Sequence, residues 1–553
     1  MIGYDLSDPA RDDDWPTFQW DLPERFNVAE TCLDATDEAI ALRYVDERGE
    51  ETALTYDTLR EATRSVAAGL ADRGVDRGDR VAVCLPQSPE LLVSQLAILR
   101  LGAVVVPLSM IVGEDHFAHA LEHANAARLV VDAERARALS NPALDGALVV
   151  DPEPAPGHDG LGGLADLASV AEPSSRLEFP ATTPDDPAFV LYTSGTSGAP
   201  KGVVHGHRYL IGSLPGYQCW FELFDPEEAA ASRVFTPAEW AWAGALFNVV
   251  FPTLALSGTV VAHHRRSGFD PVRSLGIFES QAVQCAFLPP TALRRIRDAD
   301  VAANADLEAL EAITCGGERL PPSLAEWAES TLDVVVNEGY GQTEANALVG
   351  DCQGAYPVRE GAMGKPYPGH DVVLVDESGI PVPDGDLGRI ALRTPDPVCF
   401  LEYYDDPEAT EAAYLDEGLL DTGDLAVRDD DGYLFHRGRA DELIVSSGYR
   451  ISPLEVETAL TDHDAVADAI VAGLPDEDRG ERVAAAVVTQ GAPSVPSTES
   501  ERESLRADLE SLVRERLGAY KVPREFVFLE ELPETRTGKA DRRRVFDSDR
   551  ESA

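Results

Sequence analysis

The segment that most constrains the fold is an apolar stretch that runs directly into a loop of small residues. Residues 187–191 (PAFVL) predict a buried strand, and residues 192–202 (YTSGTSGAPKG) follow without a break. Glycine, serine and threonine expose backbone N–H groups and supply hydroxyls, and Lys201 adds a positive charge. A strand that leads into such a loop indicates a phosphate site. It is not a Walker A loop, because Gly-x4-Gly-Lys-Ser/Thr cannot be fitted to it.

The competing interpretation of residues 192–202 is a flexible polar loop without a ligand. Only four of the 46 Lys and Arg residues are lysines, and one of the four stands in this loop. A phosphate site is therefore favoured over an unspecialised loop.

Residues 80–131 alternate between strand and helix patterns. Residues 80–85 (RVAVCL) and 103–106 predict strands, and an apolar helical face lies between them. Residues 117–127 predict a second helix, and residues 128–131 another strand. Such alternation predicts a parallel sheet covered by helices.

The chain has 553 residues, more than the roughly 250–300 that one hydrophobic core supports, so we expect at least two domains. A second α/β stretch is predicted from residue 187 to about residue 336, and short antiparallel strands over residues 371–393.

The C-terminal part of the chain, roughly 110 residues, is predicted to form a separate small unit. Residues 452–455 (SPLE) predict a capping box that begins a helix. Strand patterns follow at residues 467–473 and 482–489. Residues 491–504 predict a linker rich in Pro and Ser, and a helix with Leu505, Leu509, Leu512 and Leu517 comes after it.

The charge balance is extreme, because 46 Lys and Arg residues face 98 Asp and Glu residues, a net charge of −52. Such an acidic surface disfavours nucleic acid and anionic membranes as partners. It also repels itself unless salt screens it, and at ~1 M salt the Debye length falls to roughly 3 Å. With so few lysines, the composition predicts a halophilic protein of a salt-rich cytoplasm.

Cysteine usage and the apolar segments indicate the compartment. The seven cysteines are widely spread and no two form Cys-x-x-Cys, so neither a disulfide framework nor a zinc site is predicted. The acidic N-terminal segment lacks the apolar core of a secretory signal. The longest apolar stretch, residues 101–113, is too short to cross a bilayer. We therefore expect a soluble cytoplasmic protein without a membrane span.

The loop at residues 191–202 resembles the phosphate-binding signature of the AMP-forming acyl-CoA synthetases, within the adenylate-forming superfamily. Further signatures recur in the same order: GGER at 316–319, YGQTE at 340–344, LDTGD at 420–424, RGRAD at 437–441, SGYR at 447–450 and TGK at 537–539. The resemblance covers nearly the whole chain. It implies the reaction of a carboxylic acid, ATP and CoA to acyl-CoA, AMP and pyrophosphate, through an acyl-adenylate.

The resemblance also implies the fold, which belongs to the α/β class. A large N-terminal AMP-binding domain, residues 1–438, has mixed and parallel sheets covered by helices. A small mobile α+β domain, residues 439–553, follows it.

The resemblance assigns ATP binding to residues of several signatures. These are Thr193, Ser194, Gly195, Thr196, Ser197, Gly198, Lys201, Gly317, Glu318, Arg319, Glu338, Gly339, Tyr340, Gly341, Gln342, Thr343, Asp424, Arg439, Arg450 and Lys539. Tyr340 is expected to stack on adenine, and Asp424 to accept the ribose hydroxyls. Thr193 and Glu344 are expected to hold Mg²⁺, which prefers hard oxygen ligands.

Lys201, Arg439 and Lys539 are the predicted catalytic residues. The reaction brings two anions together, so positive charges that position them are expected to supply most of the catalysis. By resemblance, Lys539 contacts the reacting carboxylate and the α-phosphate during adenylation. Arg439 holds the ribose and phosphate side.

The remaining predicted site residues serve the other substrates and domain movement. Gly448 and Tyr449 are expected to bind CoA, and Asp441 to act as the hinge. Trp240 and Gly341 are expected to line the acyl pocket.

The residue at position 341 bears on the size of the carboxylic acid substrate. Acetate-specific relatives carry a second tryptophan there, so Gly341 implies a deeper tunnel. A medium-chain or branched aliphatic acid is predicted, with an aromatic acid second. Two rival classes are a stand-alone adenylation enzyme that loads a carrier protein and a catalytically silent adenylate-binding protein. The lack of a recognisable carrier domain weighs against the first, and the presence of Lys539 and of the phosphate-loop residues weighs against the second. Assembly into a homo-oligomer stays open.

Other constellations in the sequence are weak. His205 with His207, and His263 with His264, lack carboxylate or cysteine companions at ligand spacing, so we predict surface or pocket histidines, not metal ligands. No Gly-x-Ser-x-Gly is present, which argues against a serine hydrolase. Residues 339–344 have Glu344 where a dinucleotide fingerprint requires glycine.

Overall fold

The computed structural model describes most of the chain. The described residues are 20–138, 147–150, 179–193, 200–264, 268–302, 305–416, 418–447, 449–476, 479–490, 498–533 and 545–546. The chain divides into two compact units, the first with residues 1–372 and 392–420, the second with residues 373–391 and 421–553. The domain boundary expected at residue 438 stays a prediction.

Helices are distributed over both units. Those of the described residues are Val28–Cys32, Tyr56–Asp72, Pro89–Arg100, Glu114–His123, Ala133–Ala138, Tyr209–Phe221, Pro226–Ala231, Ala243–Ala245, Phe251–Ala255, Pro271–Gln281, Pro290–Asp298, Pro322–Leu332, Pro407–Ala412, Pro453–Thr461 and Glu499–Leu517, with a π-helical turn at Leu246–Val250 and 3₁₀ turns at Ala440–Glu442 and Ala519–Lys521. Within the described residues, none of these helices has both the length and the apolar character needed to cross a bilayer.

The larger sheet of the first unit has nine strands among the described residues. In spatial order they are Lys365–Pro366, Val349–Gly350, Val335–Tyr340, Ala312–Gly316, Cys285–Phe287, Arg233–Phe235, Thr259–His263, Ile40–Val45 and Glu51–Thr55. Its central strands are parallel and its edges antiparallel. The central strands Thr259–His263 and Ala312–Gly316 are buried along their whole length, as is usual for parallel strands covered on both faces.

The second sheet of this unit has seven strands among the described residues. In spatial order they are Glu402–Tyr403, Lys201–Gly206, Pro187–Thr193, Val104–Pro107, Arg80–Cys84, Arg128–Asp132 and Leu148–Val150. The parallel pairs of Arg80–Cys84 with both of its neighbours confirm the parallel sheet predicted for residues 80–131. The helix predicted at residues 117–127 lies at Glu114–His123, because Gly113 stands at its N-cap and Ala124 at its C-cap.

A five-stranded sheet occupies the region where short strands were predicted. Its described strands are Val372–Val375, Leu387–Arg393, Leu419–Arg428 and Tyr414–Asp416 in spatial order, with Leu434–Arg439 on Leu419–Arg428. The division between the two units falls within strands of this sheet.

The C-terminal sheet belongs to the second unit. Its described strands are Tyr449–Ile451, Ile444–Ser446, Gly480–Thr489 and Val466–Asp476 in spatial order, with Glu525–Leu529 parallel to Gly480–Thr489. Helices Pro453–Thr461 and Glu499–Leu517 bury apolar side chains in its core, among them Leu460 and Leu509.

Two local predictions for this unit need correction. Ser452 caps the helix Pro453–Thr461, but the Glu455 carboxylate pairs with Lys521 at 2.6 Å, so only half of the predicted capping box forms. The complete capping box joins Thr498 and Glu501. It begins the next helix at Glu499, inside the predicted linker 491–504, because reciprocal capping outweighs the polar composition there.

Candidate active site

A β-hairpin carries both ends of the predicted phosphate loop. Pro187–Thr193 and Lys201–Gly206 pair antiparallel, with Thr193 directly opposite Lys201. The hairpin therefore brings a predicted Mg²⁺ ligand beside the predicted phosphate-binding lysine. Five further predicted residues of the loop, Ser194, Gly195, Thr196, Ser197 and Gly198, lie outside the described residues.

Tyr403 links Lys201 to Glu344. The Lys201 Nζ atom lies 4.7 Å from the centroid of the Tyr403 ring. The Tyr403 hydroxyl donates to Glu344 Oε1 at 2.7 Å. Residues from separate predicted signatures thus meet at one tyrosine that the sequence analysis did not single out.

His205 holds the backbone next to Glu344. Its Nε2 is 2.6 Å from the Thr343 carbonyl oxygen, and because a carbonyl only accepts, Nε2 carries the proton. Burial lowers the pKa of His205 to about 4, so the ring is neutral near pH 7. The Phe400 N–H adds a hydrogen bond of 2.8 Å to the Glu344 carbonyl oxygen. The backbone that presents Glu344 is therefore fixed from two sides.

The GGER and YGQTE signatures meet at the ends of neighbouring parallel strands. Gly316 lies opposite Gly339, and Gly317 follows with φ +82°. A Cβ on Gly339 would lie 2.2 Å from the Trp220 ring, so only glycine fits against that buried indole. Ligand sites commonly form outside the carboxyl ends of such strands.

Glu338 is a half-buried carboxyl in this region. It accepts the Leu320 N–H at 2.9 Å, and burial raises its pKa to about 8. Its own N–H donates to Asp351 at 3.3 Å, and burial raises the pKa of Asp351 to about 7. Desolvation therefore removes negative charge from a part of the chain predicted to bind a polyanion.

The loop from Gly341 to Glu344 is closed by a tight turn. Gln342 and Ala345 exchange backbone hydrogen bonds of 2.9 and 3.2 Å. A Cβ on Gly341 would lie 2.4 Å from the Ala347 backbone nitrogen. A side chain at position 341 therefore requires a shift of backbone.

Trp240, which is predicted to line the acyl pocket, and the nearby Trp242 differ in exposure. Trp240 is 1% exposed, and its carbonyl oxygen accepts from Gln95 Nε2 at 3.1 Å. Trp242 keeps part of its surface accessible and precedes the π-helical turn Leu246–Val250. π-Turns within helices are frequent at functional sites.

In the second unit, Asp424 and Arg439 face each other across adjacent strands. Arg439 Nη1 lies 3.7 Å from Asp424 Oδ2 and donates to the Thr422 carbonyl oxygen at 3.0 Å. Gly423 has φ +74°, and a Cβ there would lie 2.8 Å from Arg439 Nη2. Asp424 lies within the strand Leu419–Arg428, which pairs with Leu434–Arg439.

Three other predicted residues of this unit are accessible. The side chains of Arg450 and Glu377 pair at 2.7 Å, with 64% and 69% of their surface exposed. Tyr449 stacks on Tyr520 with centroids 4.6 Å apart, and both rings are exposed. Asp441 lies in the 3₁₀ turn Ala440–Glu442 and accepts from Arg439 Nε at 3.1 Å. Gly448 and Lys539 lie outside the described residues.

The histidines predicted at the surface or in a pocket divide into two pairs. His205 and His207 are 0% exposed, and burial lowers the pKa of both to about 4. His263 and His264 are largely buried and line a pocket together with Gln87 and Glu239, in agreement with the pocket prediction. The signal that could have placed His205 is strand periodicity, because it shares a face with Lys201, four residues earlier.

The comparison with protein families agrees with these features. The profile of the AMP-binding enzymes matches residues 29–404, and that of the AMP-binding enzyme C-terminal domain matches residues 455–539.

The chain belongs to the AMP-binding enzyme family.

Relatives of this AMP-binding enzyme match it along almost their whole length. The acyl–CoA ligase YtcI of Bacillus subtilis (strain 168) is 32% identical over 94% of the chain and 95% of that protein. The mitochondrial acyl-coenzyme A synthetase ACSM4 of Rattus norvegicus is 34% identical over 94% of the chain and 90% of that protein.

A solved structure extends the match to the fold. The acyl-CoA synthetase of Brucella canis superposes with a TM-score of 0.72 at 28% identity and covers 99% of both chains. The predicted α/β fold class and the predicted AMP-forming carboxylate–CoA ligase class are confirmed.

Proposed function

We propose that this AMP-binding enzyme activates a medium-chain or branched aliphatic acid with ATP and passes the acyl group to CoA. The observation that carries the proposal is that Tyr403 joins Lys201, which pairs with Thr193 on one hairpin, to Glu344 from a distant part of the chain. A lysine, a hydroxyl and a carboxylate together suit a triphosphate with its metal ion.

Mg²⁺ fits the donor set in the first unit. Thr193 and Glu344 offer oxygen ligands, and Mg²⁺ is commonly bound by one or two carboxylates together with substrate phosphates. Bound there, the ion would neutralise phosphate charge. Lys201 would contact the phosphates, and the protonated Glu338 would add no repulsion to them.

ATP binding extends over the rest of this region. Tyr340 stacks on adenine, and the neighbouring residues Gly317, Glu318, Arg319, Gly339, Gln342 and Thr343 contact the nucleotide. The close approach of parallel strand ends at Gly316 and Gly339 supports this assignment.

The second unit supplies the ribose contact and the remaining cations. Asp424 accepts the ribose hydroxyls, and Arg439, already beside it, contacts the ribose and phosphate side. Arg450 and Lys539 contact the α-phosphate, and Lys539 also the reacting carboxylate. Positive charges placed where two anions react supply electrostatic stabilisation.

CoA binds at Gly448 and Tyr449 in this proposal, and Asp441 is the hinge. The exposed stack of Tyr449 on Tyr520 offers an aromatic surface of the kind that nucleotide bases stack on. The single 3₁₀ turn that contains Asp441 has few backbone hydrogen bonds to break when its dihedral angles change.

The acid binds beside Trp240, Trp242 and Gly341. Trp242 is the better candidate for contact with the acid, because Trp240 is fully buried. In this proposal Gly341 lines a tunnel for a medium-length chain, and a side chain there would also displace the Ala347 backbone. An aromatic acid is the second candidate.

The proposed compartment is the cytoplasm. All seven cysteines lie in the described residues, where they are buried and unpaired. Burial raises the pKa of Cys84, Cys219 and Cys285, which keeps these thiols protonated and unreactive. Free thiols are typical of a reducing compartment.

The decisive experiment measures pyrophosphate release against a panel of carboxylic acids, with and without CoA, and follows acyl-CoA by chromatography. We expect acid-dependent pyrophosphate release and CoA-dependent AMP release, highest with hexanoate or a branched acid of similar size. Adenylation without acyl-CoA formation would instead favour an enzyme that loads a carrier protein. A preference for benzoate would favour the aromatic alternative.

A further inference from the structure

Tyr403 occupies a position between two residues of the proposed ATP site. We propose that Tyr403 is a positioning residue for Mg²⁺–ATP: its hydroxyl orients the Glu344 carboxylate, and its ring holds the Lys201 ammonium apart from that carboxylate. This inference rests on the proposed function of Lys201 and Glu344.

Strand register places Tyr403 next to Lys201. The strand Glu402–Tyr403 pairs antiparallel with Lys201–Gly206, and Tyr403 lies opposite Val203. Lys201 is two residues before Val203, so it lies on the same face, diagonal to Tyr403. Diagonal neighbours are within reach of aromatic and long side chains. The observed 4.7 Å from Lys201 Nζ to the ring centroid follows from this register.

The backbone at Glu344 is held without Tyr403. His205 donates to the Thr343 carbonyl oxygen at 2.6 Å, and the Phe400 N–H donates to the Glu344 carbonyl oxygen at 2.8 Å. What Tyr403 adds is the direction of the Glu344 side chain, through the 2.7 Å hydrogen bond to Oε1. Loss of that hydroxyl should therefore leave the fold intact and release the carboxylate.

The charges explain why a tyrosine is useful at this point. Lys201 and Glu344 have opposite charges, and a direct ion pair would occupy the groups that ATP and Mg²⁺ need. No ion pair joins these two residues in the described part of the chain. The Tyr403 hydroxyl uses one lone pair of Oε1 and leaves Oε2 for a metal ion. The face of the Tyr403 ring attracts the Lys201 ammonium by a cation–π interaction. This interaction leaves the ammonium hydrogens available for phosphate oxygens.

The test is the affinity for ATP with Mg²⁺ and with EDTA in place of Mg²⁺, measured by titration calorimetry on the full chain. For Tyr403→Phe we expect binding about ten-fold weaker with Mg²⁺, as for loss of a hydrogen bond to a charged group, and unchanged binding with EDTA. Tyr403→Leu also removes the ring, so we expect a further loss of roughly two- to five-fold in both conditions.

Tyr414→Phe is the matched control. It removes a tyrosine hydroxyl that lies 3.4 Å from Cys399 Sγ and is not bonded to the Glu344 carboxylate, and it should leave both affinities unchanged. Thermal unfolding of Tyr403→Phe and wild type shows whether both are equally folded.

The Tyr403→Phe results decide the inference. An affinity that is unchanged, or that falls equally with Mg²⁺ and with EDTA, overturns it. Glu344→Gln provides a second measurement, because Tyr403→Phe should add no further loss of Mg²⁺-dependent affinity to it. If the two substitutions instead reduce the Mg²⁺-dependent affinity additively, Tyr403 does not act through Glu344.

Failure of the proposed function gives a different result. Wild type that binds ATP in a Mg²⁺-dependent way but forms no acyl-CoA contradicts the proposed function and leaves the role of Tyr403 supported. If wild type forms acyl-CoA and Tyr403→Phe binds ATP with the same Mg²⁺ dependence as wild type, the role of Tyr403 is contradicted and the proposed function is not.

Discussion

The two units hold their candidate site residues by different kinds of contact. In the first unit, the Thr343–Glu344 backbone is bound by His205 and Phe400, and the Glu344 carboxylate by Tyr403. His205 is fully buried, so a lost bond there leaves an unsatisfied polar group at a cost of about 1–3 kcal/mol.

In the second unit, the contacts of Arg450 and Tyr449 are exposed, whereas Asp424, beside Arg439, is largely buried. Arg450 pairs with Glu377 in solvent, and Tyr449 stacks on Tyr520 with both rings accessible. Exposed pairs contribute about 0–1 kcal/mol and exchange partners readily. Under the proposed function, we therefore expect a preformed phosphate site in the first unit, and in the second unit we expect Arg450 and Tyr449 to change partners on substrate binding. The predictions below test that contrast, from the largest expected effect to the smallest.

The largest effect is expected from Trp240→Ala, because this indole is 1% exposed. Removal of a buried tryptophan should lower the free energy of unfolding by about 3–5 kcal/mol. Trp242→Ala is the matched variant, and it should change the kcat/KM ratio of hexanoate to propionate at a smaller cost in stability. Urea unfolding and acyl-CoA formation measure the two effects. Equal loss of stability in both variants would contradict the assignment of Trp242 to the pocket.

Lys539→Ala should nearly abolish adenylation. One lost contact to developing charge costs about 3–4 kcal/mol, or roughly 10²–10³-fold in rate. Thioester formation from supplied acyl-adenylate should be spared, since Lys539 is proposed to act only in the first step. Pyrophosphate exchange and CoA-dependent AMP release separate the steps. Adenylation within a few-fold of wild type would remove Lys539 from the catalytic residues.

Asp441→Pro tests the hinge. Proline fixes φ near −65°, a value that a 3₁₀ turn adopts, so the variant should be locked in the conformation seen at Ala440–Glu442. One half-reaction should be retained and the other should fall by roughly 10²-fold, as for misplaced reacting groups. Asp441→Ala controls for loss of the contact with Arg439. Equal loss of both half-reactions in a folded variant would argue against a hinge here.

Much of the fold could be predicted because the sequence patterns were strong. The strand–helix alternation of residues 80–131 places apolar residues at the period each element needs, and the observed elements follow it. The polar segment 491–504 was partly misassigned, because its composition hides the capping box of Thr498 and Glu501.

The candidate site could be predicted only where it follows signature motifs. Lys201 and Glu344 lie within such motifs, but the contact through Tyr403 depends on the register between two distant strands. The contact between Asp424 and Arg439 likewise depends on the pairing of the two strands that carry them. Tertiary pairing is the information that local patterns lack.

Glu338 should make stability depend on pH. Its pKa of about 8 in the folded state lies above the usual 4.5, so the folded protein binds more protons between these values. The free energy of unfolding should therefore fall as pH rises through this window, by up to about 1.4 kcal/mol per pH unit for each extra proton. Glu338→Gln should flatten the profile, with a remaining slope near pH 7 from Asp351.

Urea unfolding between pH 5 and pH 9 measures the Glu338 effect, and Glu326→Gln, at an exposed position on the helix Pro322–Leu332, is the control. Parallel profiles for wild type and Glu338→Gln would show that Glu338 does not titrate in this range. ATP affinity should also decline above pH 8 in wild type, because ionised Glu338 then adds charge beside the phosphates.

The smallest effect is expected from Glu377→Gln, which removes the exposed partner of Arg450. The free energy of unfolding should change by less than about 0.5 kcal/mol in low salt. It should not change at ~1 M salt, where the Debye length is roughly 3 Å. The stability of the whole protein should instead increase with salt, since screening of its net charge of −52 should raise the melting temperature in NaCl and KCl alike. A change in the free energy of unfolding of Glu377→Gln that persists in high salt would show that the Arg450 pair is a fixed structural contact. The exposed contacts of the second unit would then not be more exchangeable than those of the first unit, even at Arg450, where the exposure is greatest.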